Sequence, residues 1–330
     1  SKPNPRVGCV LATQERIIAS GWHHRAGEPH AEINALADAG TLPGDTTAYV
    51  TLEPCAHQGL TPPCSTALIN AGIKRVVVAA RDPNPEVNGR GVKQLEQAGV
   101  RVECGLMAEQ ATQLNRGFFK RHQFEKPWVR IKVAISLDGR TALGNGQSQW
   151  ISSAESRQDV QRWRAQSCAI LTGIGTVVAD DPRLTARVPE ESVQPVPVVV
   201  DSQWRTASSA RMFAGGQVPI IFGSSRVAIP QELRDSAADC LAVDQTDSGL
   251  DLQQVLKSLA ERQINEVQVE AGPTLCGALL KTGFVDEVLV YQAPILLGKD
   301  ALPPFALGPL ETMDSRTHLR VLDRRVVGPD

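Results

Sequence analysis

His30-Ala31-Glu32 sets an imidazole and a carboxylate two positions apart, and two thiols follow at Cys55 and Cys64. One nitrogen and two sulfurs are the donors of a catalytic Zn²⁺, which takes three protein ligands at about 2.0–2.3 Å and leaves its fourth tetrahedral position to water. That water ionises near neutral pH, at a pKa of about 7, so hydroxide becomes available. Helix N-termini would hold Cys55 and Cys64 as thiolates through dipoles and free N–H groups. Glu32 is not needed as a ligand and is free to move protons. In zinc sites of this composition a non-ligand Glu shuttles the proton while hydroxide displaces ammonia from an amine-bearing ring carbon. A closed structural site is the competing reading, with His57 as fourth ligand, but it leaves Glu32 without a task.

Positioning these groups requires strands that end, and helices that begin, beside them. Val7–Leu11 and Ile17–Gly21 read as a hairpin around Thr13–Arg16. Pro29–Ala39 and Pro63–Ala71 have helical apolar spacing, a proline near the first turn and a glycine just past the end. Thr47–Leu52 and Ile73–Ala80 are the intervening strands, and the apolar run after Val76 predicts burial on both faces. A helix at Gly91–Ala98, a strand at Val100–Cys104 and a helix from Ala108 to Arg121 complete a three-layer α/β/α domain over residues 1–124.

After the break at Glu125-Lys126-Pro127, a second α/β domain runs over residues 125–330. Its first strand, Trp128–Leu137, alternates: Val129, Ile131, Val133 and Ile135 share one face, and Arg130, Lys132, Ala134 and Ser136 share the other, which reads as a site wall. Further strands are expected at 169–172, 196–200, 219–222, 267–270 and 285–291, and helices at 155–164, 250–262 and 274–281. Gly173-Ile174-Gly175 lacks the third glycine of a Rossmann fingerprint. The run Glu270–Ala278 instead leads from a strand into a helix with proline at its start, presenting free N–H groups suited to a phosphate.

At 330 residues the chain exceeds one ordinary core. Lys+Arg 34 against Asp+Glu 36, with only 4% aromatic residues, argues against phosphate tracking and base stacking. No apolar stretch reaches the roughly 20 residues of a membrane span, and the first residues lack the apolar core of a signal peptide. The cytosol is the expected compartment. Seven irregularly spaced cysteines argue against a disulfide framework, so Cys9, Cys104, Cys168, Cys240 and Cys276 are expected to be buried.

The loop Glu53-Pro54-Cys55-Ala56-His57-Gln58-Gly59-Leu60-Thr61-Pro62-Pro63-Cys64, after His30-Ala31-Glu32, resembles the cytidine-deaminase-like zinc hydrolases. With Asp82-Pro83-Asn84-Pro85, Gly89-Arg90-Gly91, Lys132–Arg140, Ala179-Asp180-Asp181-Pro182 and Glu270–Leu275, essentially the whole chain resembles the bifunctional deaminase-reductases of riboflavin biosynthesis. That resemblance implies a cytidine-deaminase-like domain followed by a dihydrofolate-reductase-like one. It implies zinc-dependent deamination of a diaminopyrimidinone carrying a phosphoribosylamino group, then reduction of the ribosyl chain to ribityl with NADPH.

By the same resemblance Asn4, His23, Asp82 and Asn84 hold the pyrimidine ribose phosphate near the zinc. Ala134, Trp150, Thr176, Asp180, Ser202 and the turn Gly272, Pro273, Thr274, Leu275, Cys276, Gly277 and Ala278 bind NADPH. The resemblance implies that Ser148, Arg164, Leu184, Arg187 and Glu270 contact the second substrate; the needs of hydride transfer, apart from the resemblance, point to Asp180 or Glu270 as proton source with Lys132 as an electrostatic neighbour. Leu60 departs from the family's Lys or Arg, which bears on phosphate affinity, and the family has further chain before Ser1 and after Asp330. The expected partners are the small-molecule substrate and other copies of the chain, with no nucleic acid and no membrane. The competing class is a nucleic-acid base deaminase with an appended binding domain, since the same zinc triad serves both.

Overall fold

Gly8–Ala12 (β1) and Ile17–Trp22 (β2) alternate inward and outward side chains, and they pair antiparallel across the turn that Thr13 N–H closes onto Arg16 O. Ala31–Ala39 (α1) starts directly after Pro29-His30 and stops at Gly40, whose φ of +62° a side chain would resist. Thr47–Leu52 (β3), Arg75–Ala80 (β4) and Arg101–Cys104 (β5) run parallel, separated by Cys64–Asn70 (α2) and Arg90–Gln97 (α3). The sheet order is β2-β1-β3-β4-β5, with β1 antiparallel to both neighbours. Val76, Val77 and Val78 are all buried, as their unbroken apolar run predicts.

The expected single helix from Ala108 is two, Ala108–Leu114 (α4) and Arg116–Phe124 (α5). Asn115 breaks it because its amide is recruited elsewhere: Oδ1 accepts Arg6 N–H at 2.7 Å and Nδ2 donates to Arg6 O at 2.8 Å. One core gathers β1, β3 and β4 with Ala35, Leu68 and Leu95 of α1–α3, and another gathers Leu52 and Ala80 with Ala111, Phe118 and Phe119 of α4 and α5. Gly21 makes the closest approach possible, since a Cβ there would sit 2.4 Å from Ala35 N. Helix α1 therefore lies hard against β2, and the start of α1 is where His30 and Glu32 are found.

The structure, a computed structural model, describes residues 1–56, 63–189 and 192–330 and divides into units Ser1–Lys126 and Pro127–Asp330. In the second unit Trp128–Ser136 (β6), Ala154–Gln166 (α6), Ala169–Gly173 (β7), Ile174–Asp180 (α7), Val196–Val200 (β8), Ile220–Ser224 (β9), Gln231–Arg234 (α8) and Asp239–Val243 (β10) follow in order. A small hairpin, Gln245–Thr246 (β11) and Gly249–Leu250 (β12), precedes Leu252–Glu261 (α9), Glu266–Val269 (β13), Pro273–Lys281 (α10) and Glu287–Ala293 (β14). The order β10-β9-β8-β7-β13-β6-β14 is parallel at every described pairing. Such sheets collect ligands at the carboxyl ends of their strands.

Sequence reading missed α7, α8, β10 and the hairpin, all short and without strong periodicity. One strand face needs correction. Arg130 is not part of a site wall: at 1% exposure it donates to Glu287 at 2.7 Å, lies 3.5 Å from Glu266, and stacks its guanidinium 4.4 Å from the Trp163 ring centroid. The Trp163 ring of α6 covers it and the strands on either side of β6 supply the two carboxylates, so the charge is neutralised inside the unit. The cysteine expectation also needs correction, because Cys104 is exposed and Cys240 half-buried while Cys9, Cys168 and Cys276 are buried.

Candidate active sites

His30 stands at the N-cap of α1, Cys55 follows the end of β3, and Cys64 opens α2. Their donor atoms lie within 4.8 Å of one another, and His30 Nδ1 is 3.2 Å from Cys64 Sγ and 3.6 Å from Cys55 Sγ. Bonds of about 2.0–2.3 Å to a tetrahedral ion imply donor separations of this size, so the triad fits zinc. The α2 N-terminus contributes as expected: Cys64 N–H donates to Cys55 Sγ at 3.3 Å. The Cys55 thiol is drawn down to about 4, first by its hydrogen bond with Cys64, and Cys64 is pushed up by the same contact. His30 is raised, chiefly by its bond to the Cys55 sulfur. His57 and Leu60 lie outside the described residues.

Glu32 is 3% exposed, in the first turn of α1. Burial raises its carboxyl first, and the Cys55 charge adds to that. His23 is also buried, its ring edge-on to His30 with centroids 5.3 Å apart. Burial lowers its pKa, and its two nitrogens are matched to a neutral ring: Nδ1 is 3.2 Å from Pro29 O, which needs a donor, and Nε2 is 3.0 Å from Asn4 Nδ2, which needs an acceptor. Asp82 is buried beyond β4, and its Oδ1 accepts Asn84 N–H at 2.8 Å.

In the second unit a cavity of about 1600 Å³ opens at the carboxyl ends of β6, β7, β8 and β13. Lys132, Ser148, Arg164, Arg187 and Glu270 line it, as do Ala134, Trp150, Thr176, Asp180 and Ser202. Of the Gly272–Ala278 turn, Gly272, Pro273, Thr274, Leu275 and Ala278 line it as well. Cys276 and Gly277 do not; the former sits in the core and a Cβ on the latter would lie 2.6 Å from Ala306 O. Leu184 also falls outside the lining, in the core with Ile170 and Trp204. Trp150 is 68% exposed, with the Arg157 guanidinium 4.4 Å from its ring centroid, so it is rim rather than core.

Glu270 and Arg164 form a fork, Nε to Oε1 and Nη2 to Oε2, both 2.7 Å. Burial alone would raise the Glu270 carboxyl, but Arg164, Lys132 and the 2.7 Å bond from Gln268 outweigh it and hold it at about 2. Glu270 is therefore a fixed carboxylate at neutral pH, which removes it as a proton source. Lys132 is lowered, first by burial. Sequence reading missed Gln161, whose Oε1 accepts Arg187 N–H at 3.1 Å, and the hairpin residues Thr246, Ser248 and Gly249. Gln161 was within reach, three residues before Arg164 on one helical face; the hairpin carries no motif.

Residues 1–80 match the cytidine and deoxycytidylate deaminase zinc-binding region, and residues 127–330 match the RibD C-terminal domain. The riboflavin biosynthesis protein RibD of Escherichia coli K12 is 46% identical over 99% of this chain and 92% of its own length. That of Haemophilus influenzae is 44% identical over 91% of this chain and 82% of its own. The chain belongs to the RibD family. RibD of Acinetobacter baumannii superposes with a TM-score of 0.93 at 42% identity, covering 100% of this chain and 91% of the other. A diaminohydroxyphosphoribosylaminopyrimidine deaminase/5-amino-6-(5-phosphoribosylamino)uracil reductase of Thermotoga maritima gives 0.85 at 34% identity, covering 97% and 88%. As a RibD family member the chain is a mixed α/β bifunctional enzyme of riboflavin biosynthesis, a zinc-dependent deaminase joined to an NADPH-dependent reductase. This favours it over a nucleic-acid base deaminase. Its substrate is a small-molecule pyrimidine. Among the described residues no helix is long and apolar enough to cross a membrane.

Proposed function

We propose that residues 1–124 deaminate 2,5-diamino-6-(5-phosphoribosylamino)pyrimidin-4(3H)-one and that residues 125–330 then reduce its ribosyl chain to ribityl. The observation that carries the first half is the donor triad His30, Cys55 and Cys64 within 4.8 Å, beside the buried non-ligand carboxylate of Glu32. When bound there, Zn²⁺ supplies an activated water near neutral pH. Glu32, buried beside the triad and outside it, would move a proton between the attacking water and the departing amine. Asn4 and His23 act as one neutral hydrogen-bonded unit toward the ribose phosphate, and Asp82 with Asn84 holds the pyrimidine edge.

When bound in the second unit, NADPH would supply the hydride that reduces the ring-opened, imine form of the ribosyl group. The uncapped first turn at Gly272–Thr274 offers backbone N–H groups to the cofactor's phosphates, and Trp150, Thr176, Asp180 and Ser202 line its path. Arg187, in the field of Arg164, Arg183 and Arg211, suits the substrate phosphate. With Glu270 held ionised by Arg164, Lys132 is the group able to give up a proton. We expect a cytoplasmic homo-oligomer, which light scattering on the purified chain would check. The activity itself is tested by incubating the zinc-loaded chain with the aminopyrimidine phosphate, with and without NADPH. Ammonia release in both cases, with nicotinamide oxidation only after it, is the expected result; oxidation without ammonia would overturn the order of steps.

A further inference from the structure

The zinc ligand Cys55 and the substrate loop at Asp82–Asn84 leave different strands, β3 and β4, so their register depends on whatever ties the two loops together. Glu53 stands one residue past β3 and is 4% exposed. Its carboxylate accepts four backbone N–H groups: Asp82 at 3.3 Å and Gly89 at 3.0 Å on Oε2, Gly91 at 3.0 Å and Val92 at 3.2 Å on Oε1. Gly89 caps α3, and Gly91 and Val92 form its first turn, so one anion holds a helix start and a loop at once. The approach is as close as backbone allows, because a Cβ on Gly91 would fall 1.8 Å from Pro54 O.

The chain of contacts then runs outward in both directions. Asp82, fixed through its N–H, accepts Asn84 N–H at 2.8 Å. Cys55 O accepts Ser65 N–H at 3.2 Å and lies 2.9 Å from the Ser65 hydroxyl, which is itself 2.8 Å from Gln94 Oε1 on α3. A carboxylate suits the centre of this arrangement because all its lone pairs accept and none of its atoms donates. Gln would turn an NH₂ onto two backbone donors, and Asp is one methylene short of reaching both.

We propose that Glu53 is a positioning residue for deamination, holding the Asp82–Asn84 loop in register with the zinc ligands. The proposal rests on the reading that Asp82 and Asn84 hold the pyrimidine. It predicts that misplacing the loop costs substrate alignment, of the order of 100-fold for a displacement near 1 Å, while Cys55 keeps its own ties to α2.

The test compares wild type, Glu53→Gln, Glu53→Asp and Asn84→Ala in the zinc-loaded full chain, measuring zinc content, ammonia release and reduction of the deaminated substrate. Glu53→Gln should keep its zinc and its reductase rate while kcat/KM for deamination per bound zinc falls about 100-fold, mostly through KM. Glu53→Asp should recover part of this. In the Asn84→Ala background Glu53→Asp should have little further effect, because the two act in series. A loss of activity that only tracks loss of zinc, or additive effects of the Glu53 and Asn84 variants, overturns the proposal. An active wild type with an unaffected Glu53→Gln overturns the Glu53 role alone, whereas an inactive wild type overturns the deaminase reading and this proposal with it.

Discussion

Glu32 and Glu270 are carboxyl groups set into the walls of the two sites, and their surroundings shift them in opposite directions. Burial raises the Glu32 carboxyl first and the Cys55 sulfur adds to that, against a backbone hydrogen bond, the His30 charge and a Cys64 contact that lower it. Glu270 is buried as well, yet the Arg164 fork and Lys132 hold it at about 2. The difference is that Glu270 has a bidentate guanidinium partner and Glu32 has none. One carboxylate is thereby suited to carry protons and the other to orient cations, and the chemistry divides accordingly.

The largest effect expected from breaking this contrast falls on the first site. Stripping zinc with a chelator should abolish ammonia release and leave NADPH-dependent reduction of the deaminated substrate intact, since the triad lies wholly in the first unit. Glu32→Gln should retain zinc and lose about 10³–10⁴-fold in deamination, the upper range for a positioned proton carrier. Metal analysis beside the ammonia assay separates the two variants of failure. Loss of zinc in Glu32→Gln would place Glu32 among the ligands instead.

Glu270→Gln should come next. It leaves the Arg164 guanidinium without its anion, at a cost of about 3–5 kcal/mol, visible as a lower denaturant midpoint together with a slower reductase. The pH dependence has a definite sign. Because the folded carboxyl at about 2 lies below its ordinary value of 4.5, its contribution is fully present above that ordinary value. It is lost as pH falls from there towards 2. Wild-type stability should therefore fall through that acid window, and Glu270→Gln should show a shallower fall. Equal slopes would mean that the fork does not hold the charge.

The two sites also differ in how far sequence alone reveals them. Zinc ligands are few, chemically distinctive and near each other in the chain, so His30, Glu32, Cys55 and Cys64 stand out by residue type. The long periodic elements, from β1 to α3 and from β6 to α6, were legible for the same reason: their apolar spacing is strong. The second site is assembled from the ends of separate strands and from Arg, Ser and Gly, which are ordinary surface and turn residues; beyond the Lys132 strand face and the Glu270–Ala278 turn, only resemblance to a family singled them out. Arg130 shows the limit of face counting, since an alternating strand cannot reveal that its two neighbours, β13 and β14, supply Glu266 and Glu287 to neutralise an inward charge. Glu53 was hidden for a related reason. Its partners are backbone N–H groups, which leave no trace in side-chain identity beyond the two glycines that let α3 approach.

The smallest effect, and the one that sharpens the contrast most, concerns Lys132. Hydride addition to an imine carbon leaves the adjoining nitrogen in need of a proton, and with Glu270 ionised, Lys132 in the same lining is a cation placed to give one. Burial lowers the Lys132 ammonium, the Glu270 charge pulls it back up, and Arg164 adds to the lowering. The net fall means the ammonium is lost at lower pH than an ordinary lysine of 10.5. Reductase kcat should accordingly decline as pH rises, with a midpoint below that value. Lys132→Arg keeps the charge next to Glu270 but cannot release a proton, since guanidinium stays protonated up to about pH 12. It should lower kcat by about 100-fold at most, the low end for acid catalysis, because positioning carries the rest of the rate. The alkaline decline should vanish with it. A Lys132→Arg enzyme that retains the same alkaline midpoint would show that another group delivers the proton, and Lys132 would then serve only to hold Glu270 in place.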